Sequence, residues 1–274
     1  MPGPRRKDFF ERTLSALTDV LEQSLFAEEV SQRKGLLQNL DPRVKAVSIF
    51  LLLVSVGLSR SLPVLAGLNV LTLALAWFSS ISLGFFLKRV WLFIPFFTGM
   101  VALPALFLTP GPALAVLPLG LTVTQTGLRT VLFLLLRVST SVSLGVLLVL
   151  TTAWPVLLKA LAALRIPEGF LLILGMTYRY IHLLLRTSED MFLSRRSRIV
   201  GRLPSSEGRR ILAASVGTLL GKSLHISSEV YLAMESRGYD GSARSMAVFS
   251  MRRIDWVWGC CAALIAASAV WLGR

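Results

Sequence analysis

Long apolar runs broken by short, mostly basic stretches dominate the chain, and a hydrocarbon core about 30 Å thick needs roughly 20 such residues per helix. Four runs, some short, lie near Ala46 to Leu58, Leu62 to Phe78, Val90 to Leu108 and Leu128 to Leu150, and a fifth, Trp256 to Leu272, closes the sequence. Between the fourth and fifth the pattern changes. Phe170 to Leu185 is apolar but contains Arg179 and His182 and continues into Arg186, Glu189 and Asp190. That predicts one long helix partly sunk in the interface. Pro155 and Pro167 bracket a short amphipathic helix before it, Val156 to Arg165, because proline suits a helix start and disfavours its interior. After it, Gly201, Pro204 and Gly208 break the chain, a further helix runs from about Arg209 to Arg237, and Gly238 is placed as its left-handed cap. The expected class is all-α: a polytopic membrane protein with about five transmembrane helices and three cytoplasmic helices between the fourth and fifth spans. The expected divisions are an N-terminal amphipathic segment over 1–42, spans one to four over 43–152, a cytoplasmic helical domain over 153–253, and span five over 254–274.

The N-terminal segment repeats Phe10, Leu14, Leu17, Leu21 and Leu25 at helical spacing, with Arg12, Asp19 and Glu22 on other faces. Such a helix lies on the membrane surface, on a partner, or on this protein's own cytoplasmic part. Arg5, Arg6 and Lys7 are not followed by an apolar core and a small-residue cleavage site, so the first membrane helix is expected to direct targeting.

Charge fixes the expected orientation. Arg43 and Lys45 precede the first run, Lys88 and Arg89 follow the second, Lys159 and Arg165 follow the fourth, and Arg252 and Arg253 precede the fifth. All fall on one side, which the positive-inside rule makes cytoplasmic, with the N-terminus inside and the C-terminus outside. Composition agrees: 54% hydrophobic residues, 16% charged residues and a mean hydropathy of +0.68 leave too little polar surface for a soluble globule. The net charge of +14 therefore reads as cytoplasmic membrane loops, with no nucleic-acid partner. Cys260 and Cys261 are adjacent in an apolar run and suit neither a disulfide framework nor a metal site.

Several stretches imitate chemistry. Gly217-Thr-Leu-Leu-Gly221-Lys222-Ser223 resembles a phosphate-binding loop, yet three residues separate its glycines where four are needed, and no strand precedes it. With Ala213 and Ala214 it reads better as a small-residue helix face that lets another helix approach closely. Asp240-Gly-Ser-Ala-Arg244 resembles the start of the CDP-alcohol phosphotransferase signature, but one residue short and without its second aspartate pair. His182 and His225 are the two histidines; His225 has Glu229 one turn on, and no third metal ligand is evident. Arg137 lies within the fourth span, where an unpaired charge is costly, so it must snorkel, pair or face the bundle interior. An autonomous secondary transporter would place acidic residues inside its spans, and a membrane transferase would need paired carboxylates at the membrane face. Neither pattern is present in this sequence.

Two arginine signatures remain, Ser194-Arg195-Arg196-Ser197-Arg198 and Ala233-Met-Glu-Ser236-Arg237-Gly238. The dipole at a helix C-terminus favours arginine, whose planar guanidinium grips carboxylates with two parallel hydrogen bonds. A basic helix end is ordinarily a solvated face or a lipid-headgroup anchor. Here two successive long helices each end in one.

These signatures, with Gly35-Leu-Leu-Gln-Asn-Leu-Asp-Pro-Arg-Val-Lys45, Val149-Leu-Thr-Thr152, Met176-Thr-Tyr-Arg-Tyr180 and Ala233 through Gly241, resemble the transmembrane T component of energy-coupling-factor transporters of the ABC class, in the cobalt/nickel-type CbiQ family. The resemblance covers nearly the whole chain. It implies a non-catalytic subunit of a prokaryotic cytoplasmic membrane, without cofactor or metal of its own. Two ABC-type ATPase subunits would receive the tips of two coupling helices, and a separate membrane S component would bind cobalt or nickel. It places ATPase docking on Ser236, Arg237 and Gly238, and on Arg195, Arg196 and Ser197, where either arginine can be the first tip. Gly217, Gly221 and Ala233 would belong to the helix-packing relay.

Overall fold

The computed structural model describes residues 35–79, 81–88, 90, 94–110, 112–116, 122–198, 205–241 and 251–273. Residues 1–34 of the N-terminal amphipathic segment, Arg89, Gly201, Pro204 and Arg244 lie outside the described residues. Two compact units emerge, one formed by Ala27–Ala160 with Ala247–Arg274, the other taking in Leu161–Met246.

The first unit is a helical bundle. Helix α1 spans Pro42–Leu58, opening where Pro42 loses nothing by lacking an N–H, and Asp41 caps it by accepting the Arg43 N–H at 2.9 Å. Helix α2, Leu62–Phe78, follows after a three-residue turn and reverses direction. Next come the short α3, Leu83–Leu87, and α4, Ile94–Leu108. An antiparallel ribbon of β1, Ala113–Val116, and β2, Thr122–Thr124, leads into α5, Gln125–Thr151, and α9, Arg253–Gly273, closes the unit. The ribbon adds a small β element to the all-helical expectation. In register it pairs Ala113 with Thr124 and Val116 with Thr122, and Thr124 then caps α5 by accepting the Gly127 N–H. Of the third apolar run, Ile94–Leu108 is described as helix α4, and 91–93 lie outside the described residues.

Hydrogen bonds at the helix ends fix the relative directions. At one end Asp41 N–H donates to Asp255 Oδ1 at 2.8 Å, and at the other Arg60 N–H donates to the Gly273 carbonyl at 2.7 Å, so α1 and α9 run parallel. Between those ends their serine and alanine faces meet, with Ser55 Oγ 3.2 Å from the Ala266 carbonyl. Lys45 Nζ donates to the Thr151 carbonyl at 2.9 Å, and Arg137 donates to the Gly57 carbonyl near the opposite end, so α5 runs antiparallel to α1. Inside the bundle, Asn69 on α2 donates to Thr140 Oγ1 on α5 at 3.1 Å. Ile49, Leu52, Val56, Leu65, Leu68, Leu144, Ala266 and Ala269 fill the centre, and Leu37, Leu40, Leu75, Phe86, Val90, Leu147 and Leu150 fill the end where α1 begins.

The outside of this bundle is as apolar as its centre. Phe50, Val70, Val101 and Leu264 project outward, and Trp256 and Trp271, 68% and 80% exposed, stand near the two ends of α9. Water does not tolerate such a surface, whereas hydrocarbon flanked by interfacial tryptophan does. Helices α5 and α9 are long and apolar enough to cross a membrane, while α1 and α2 have 17 residues each. The chain has the character of an integral membrane protein.

Helix α6, Trp154–Ala163, leads out of the bundle. It ends two residues before the expected Arg165, because Arg165 adopts φ 66 and forms a left-handed cap: Ile166 N–H reaches the Leu161 carbonyl and Arg165 N–H the Ala162 carbonyl. Pro167 explains the stop, since the residue before a proline is driven from helical into extended backbone.

Candidate functional site: two arginine-tipped helices

In the second unit, α7 spans Glu168–Arg196 and α8 spans Ser205–Ser236. The apolar stretch 170–185 is thus the first part of one long helix, as its continuation into charged residues indicates. Arg195 Nη1 lies 3.4 Å from the Ile211 carbonyl, joining the end of α7 to the beginning of α8. At the other end, Leu172, Met176 and Tyr180 of α7 share an apolar cleft of about 440 Å³ with Val230, Met234 and Tyr239 at the end of α8. The two helices are therefore antiparallel. From Ile211 to Arg237 the axis of α8 extends about 40 Å at 1.5 Å per residue, so the arginine ends stand at opposite ends of the hairpin.

The local chemistry of the two ends differs. Gly238 has φ 74, its N–H donates to the Glu235 carbonyl at 2.9 Å, and Tyr239 N–H donates to the Met234 carbonyl at 3.1 Å. This is the paired arrangement that closes a helix with a left-handed residue. It leaves Arg237 exposed at the cap, with the dipole's negative end behind it. At the end of α7, Ser197 caps in right-handed geometry and its hydroxyl donates to the Ser194 carbonyl at 2.8 Å. Arg195 is half-buried and turned onto α8, whereas Arg196 is exposed.

Gly217 and Gly221 lie within α8, so Gly217 to Ser223 is helix and not a phosphate-binding loop. A Cβ placed on either glycine meets nothing within 4 Å, and Ala213, Ala214 and Ala233 are exposed. Among the described residues this small-residue face is open. His225 Nε2 sits 3.2 Å from Glu229 Oε1 on the exposed side of α8, the expected turn-spaced pair, and His182 Nδ1 lies 2.9 Å from the Tyr178 carbonyl. Arg137 is half-buried in the bundle, bonded to the α1 terminus and 5.7 Å from the Phe133 ring centre. Pairing with a backbone carbonyl of α1 is therefore how it meets the cost of a charge in the span.

Reading the charges as flanking groups overlooked Lys45 and Asp255. Both are buried, at 1% and 2% exposure. The signal was available as periodicity: Lys45, Ile49, Leu52 and Val56 fall on one helical stripe, as do Asp255, Ala262, Ala266, Ala269 and Gly273.

Comparison with known proteins agrees with this architecture. Residues 33–247 match the family model described as CbiQ, cobalt transport protein. The chain is 36% identical over 239 residues to an uncharacterized protein of Methanocaldococcus jannaschii, covering 86% of this chain and 82% of that one. It is 29% identical to the energy-coupling factor transporter transmembrane protein EcfT of Lacticaseibacillus paracasei, over 80% of this chain and 87% of the relative. It is 30% identical to the nickel permease LarQ of Lactiplantibacillus plantarum, over 73% and 66% respectively.

Proposed function

Because the chain belongs to the CbiQ cobalt transport protein family, we propose that it is the transmembrane T component of an energy-coupling-factor importer for cobalt or nickel. It neither hydrolyses ATP nor holds the metal in a pocket of its own. Two ABC-type ATPase subunits supply the work, and a separate membrane S component binds the cargo. The names of the relatives, a T component and a nickel permease, support the class. The observation that carries the mechanism is the antiparallel hairpin, with one arginine end at each extremity. Two identical or similar ATPases side by side each need a contact, and a hairpin about 40 Å long offers two.

The tips act through charge. Arg237 docks in an acidic groove on one ATPase, with Ser236 and Gly238 shaping the cap that presents it. Arg196 is the tip on the other, since it is exposed where Arg195 is half-buried; Arg195, 3.4 Å from the Ile211 carbonyl, and Ser197 hold the end of α7 in place. Closure of the ATPases on ATP moves the two ends of the hairpin, and the open face around Gly217, Gly221 and Ala233 transmits the motion to the S component. The N-terminus lies in the cytoplasm, five segments (α1, α2, α4, α5 and α9) cross the membrane, and the C-terminus lies outside.

The test is purification of the tagged chain from native membranes in mild detergent, with the partners identified by mass spectrometry. Wild type should retain an ABC-type ATPase. Arg237→Glu and Arg196→Glu should each weaken it, while Arg195→Glu should disturb the hairpin more than the docking. An ATPase retained at full level by Arg237→Glu would refute the assignment.

A further inference from the structure

Gly35–Lys45 does more than lead into α1. Leu36 N–H donates to the Phe78 carbonyl at 3.2 Å and Gln38 Nε2 to the Ser79 carbonyl at 2.9 Å, tying down the end of α2. Gly35 is needed there, since a Cβ would fall 2.8 Å from the Ser79 carbonyl oxygen. Asp41 reaches α9 through Asp255, whose second oxygen accepts the Arg252 N–H at 2.8 Å, and Lys45 reaches the last carbonyl of α5. One short stretch thus gathers the ends of α2, α5 and α9 around the start of α1. Each buried charge also meets a helix end of opposite sign: the Asp255 carboxylate sits at the N-termini of α1 and α9, and the Lys45 ammonium at the C-terminus of the 27-residue α5. Immediately beyond, Thr152 is extended and the chain leaves for α6.

We propose that Lys45 and Asp255 are positioning residues, which clamp the ends of α1, α5 and α9 into a fixed plate so that motion entering the chain beyond Thr152 is not lost by fraying α5. The clamp stands on the geometry; its consequence for transport rests on the coupling function proposed above. Both act through the helix ends they bond.

Two measurements test this. First, on the full chain alone, after Cys260 and Cys261 are replaced by serine, spin labels are placed at the exposed Val47, Val149 and Val257 of α1, α5 and α9. Wild type should give narrow distance distributions. Lys45→Met should broaden the α1 to α5 distance and Asp255→Asn the α1 to α9 distance, with Lys45→Arg restoring the first. Wild-type distances in both Met and Asn variants would overturn the clamp. Second, in the purified complex, ATP should leave the three wild-type distances unchanged. Metal uptake per ATP hydrolysed should fall roughly tenfold in Lys45→Met, about the factor of one lost charged hydrogen bond, and recover in Lys45→Arg. An unchanged ratio, or distances that shift with ATP, would overturn the positioning role. If no ATPase co-purifies, the coupling function fails and the transport half of the inference with it, while the distances still decide the clamp.

Discussion

At Arg165 and Gly238 the same backbone device is built from opposite residues. Both close a helix in the left-handed region, at φ 66 and φ 74, but an arginine there carries a Cβ that crowds the following carbonyl. Arg165→Gly should therefore stabilise the chain by about 1 kcal/mol, and Gly238→Ala should destabilise it by about as much. Detergent-solubilised thermal unfolding reads both; equal shifts in the same direction would contradict the cap geometry. Asp255 is the more consequential residue. As asparagine it accepts from one backbone N–H but presents its amide to the other, which should cost about 1–3 kcal/mol in the same assay. The sequence made Gly238 legible because glycine announces a cap. It hid Arg165, where only the proline two positions on hints at the turn, and it hid the burial of Lys45 and Asp255, because a cation or carboxylate flanking an apolar run ordinarily stays in water.

Among the elements, the helices were the most legible. Apolar runs and prolines located the ends of α1, α2, α5 and α9 to within one residue and their starts to within four, and the charges in 179–190 announced that α7 is one long helix. Less visible was the link between α4 and α5. The ribbon of β1 and β2 pairs few residues, and strands of four and three residues are too short for an alternation to mark them. Packing there is tight: a Cβ on Gly127 would fall 2.7 Å from the Leu106 carbonyl and 2.9 Å from that of Ala105. Gly127→Val should consequently cost at least about 1–3 kcal/mol and lower the yield of folded chain. Glycines 217 and 221 invert the expectation. With open space around both, Gly217→Ala and Gly221→Ala should stabilise α8 by up to about 1 kcal/mol each. If the face receives the S component, bulkier Gly217→Leu and Gly221→Leu should reduce uptake while the chain remains folded. Full uptake in both leucine variants would remove this face from the relay.

On the scale of the whole molecule, the proposed function divides the work between lipid, met by the apolar surface of the bundle, and soluble partners, met by the arginine ends of the two long helices. The bundle supplies the lipid-facing body, in which α1 and α9 run parallel and α5 returns between their ends; the hairpin of α7 and α8 supplies two separated charged tips. Both signals are legible in the sequence because they are compositional, one in hydropathy and one in arginine placement. The sequence leaves Arg195 and Arg196 as alternatives, and the proposed function takes Arg196 on its exposure. Reconstitution tests the coupling most directly: proteoliposomes holding the complex purified through this chain, loaded with ATP on the side of the ATPases, and assayed for accumulation of radiolabelled cobalt and nickel. Uptake that requires ATP and is abolished by Arg196→Glu together with Arg237→Glu is the predicted result. Uptake by this chain alone, without ATP or any second subunit, would contradict it.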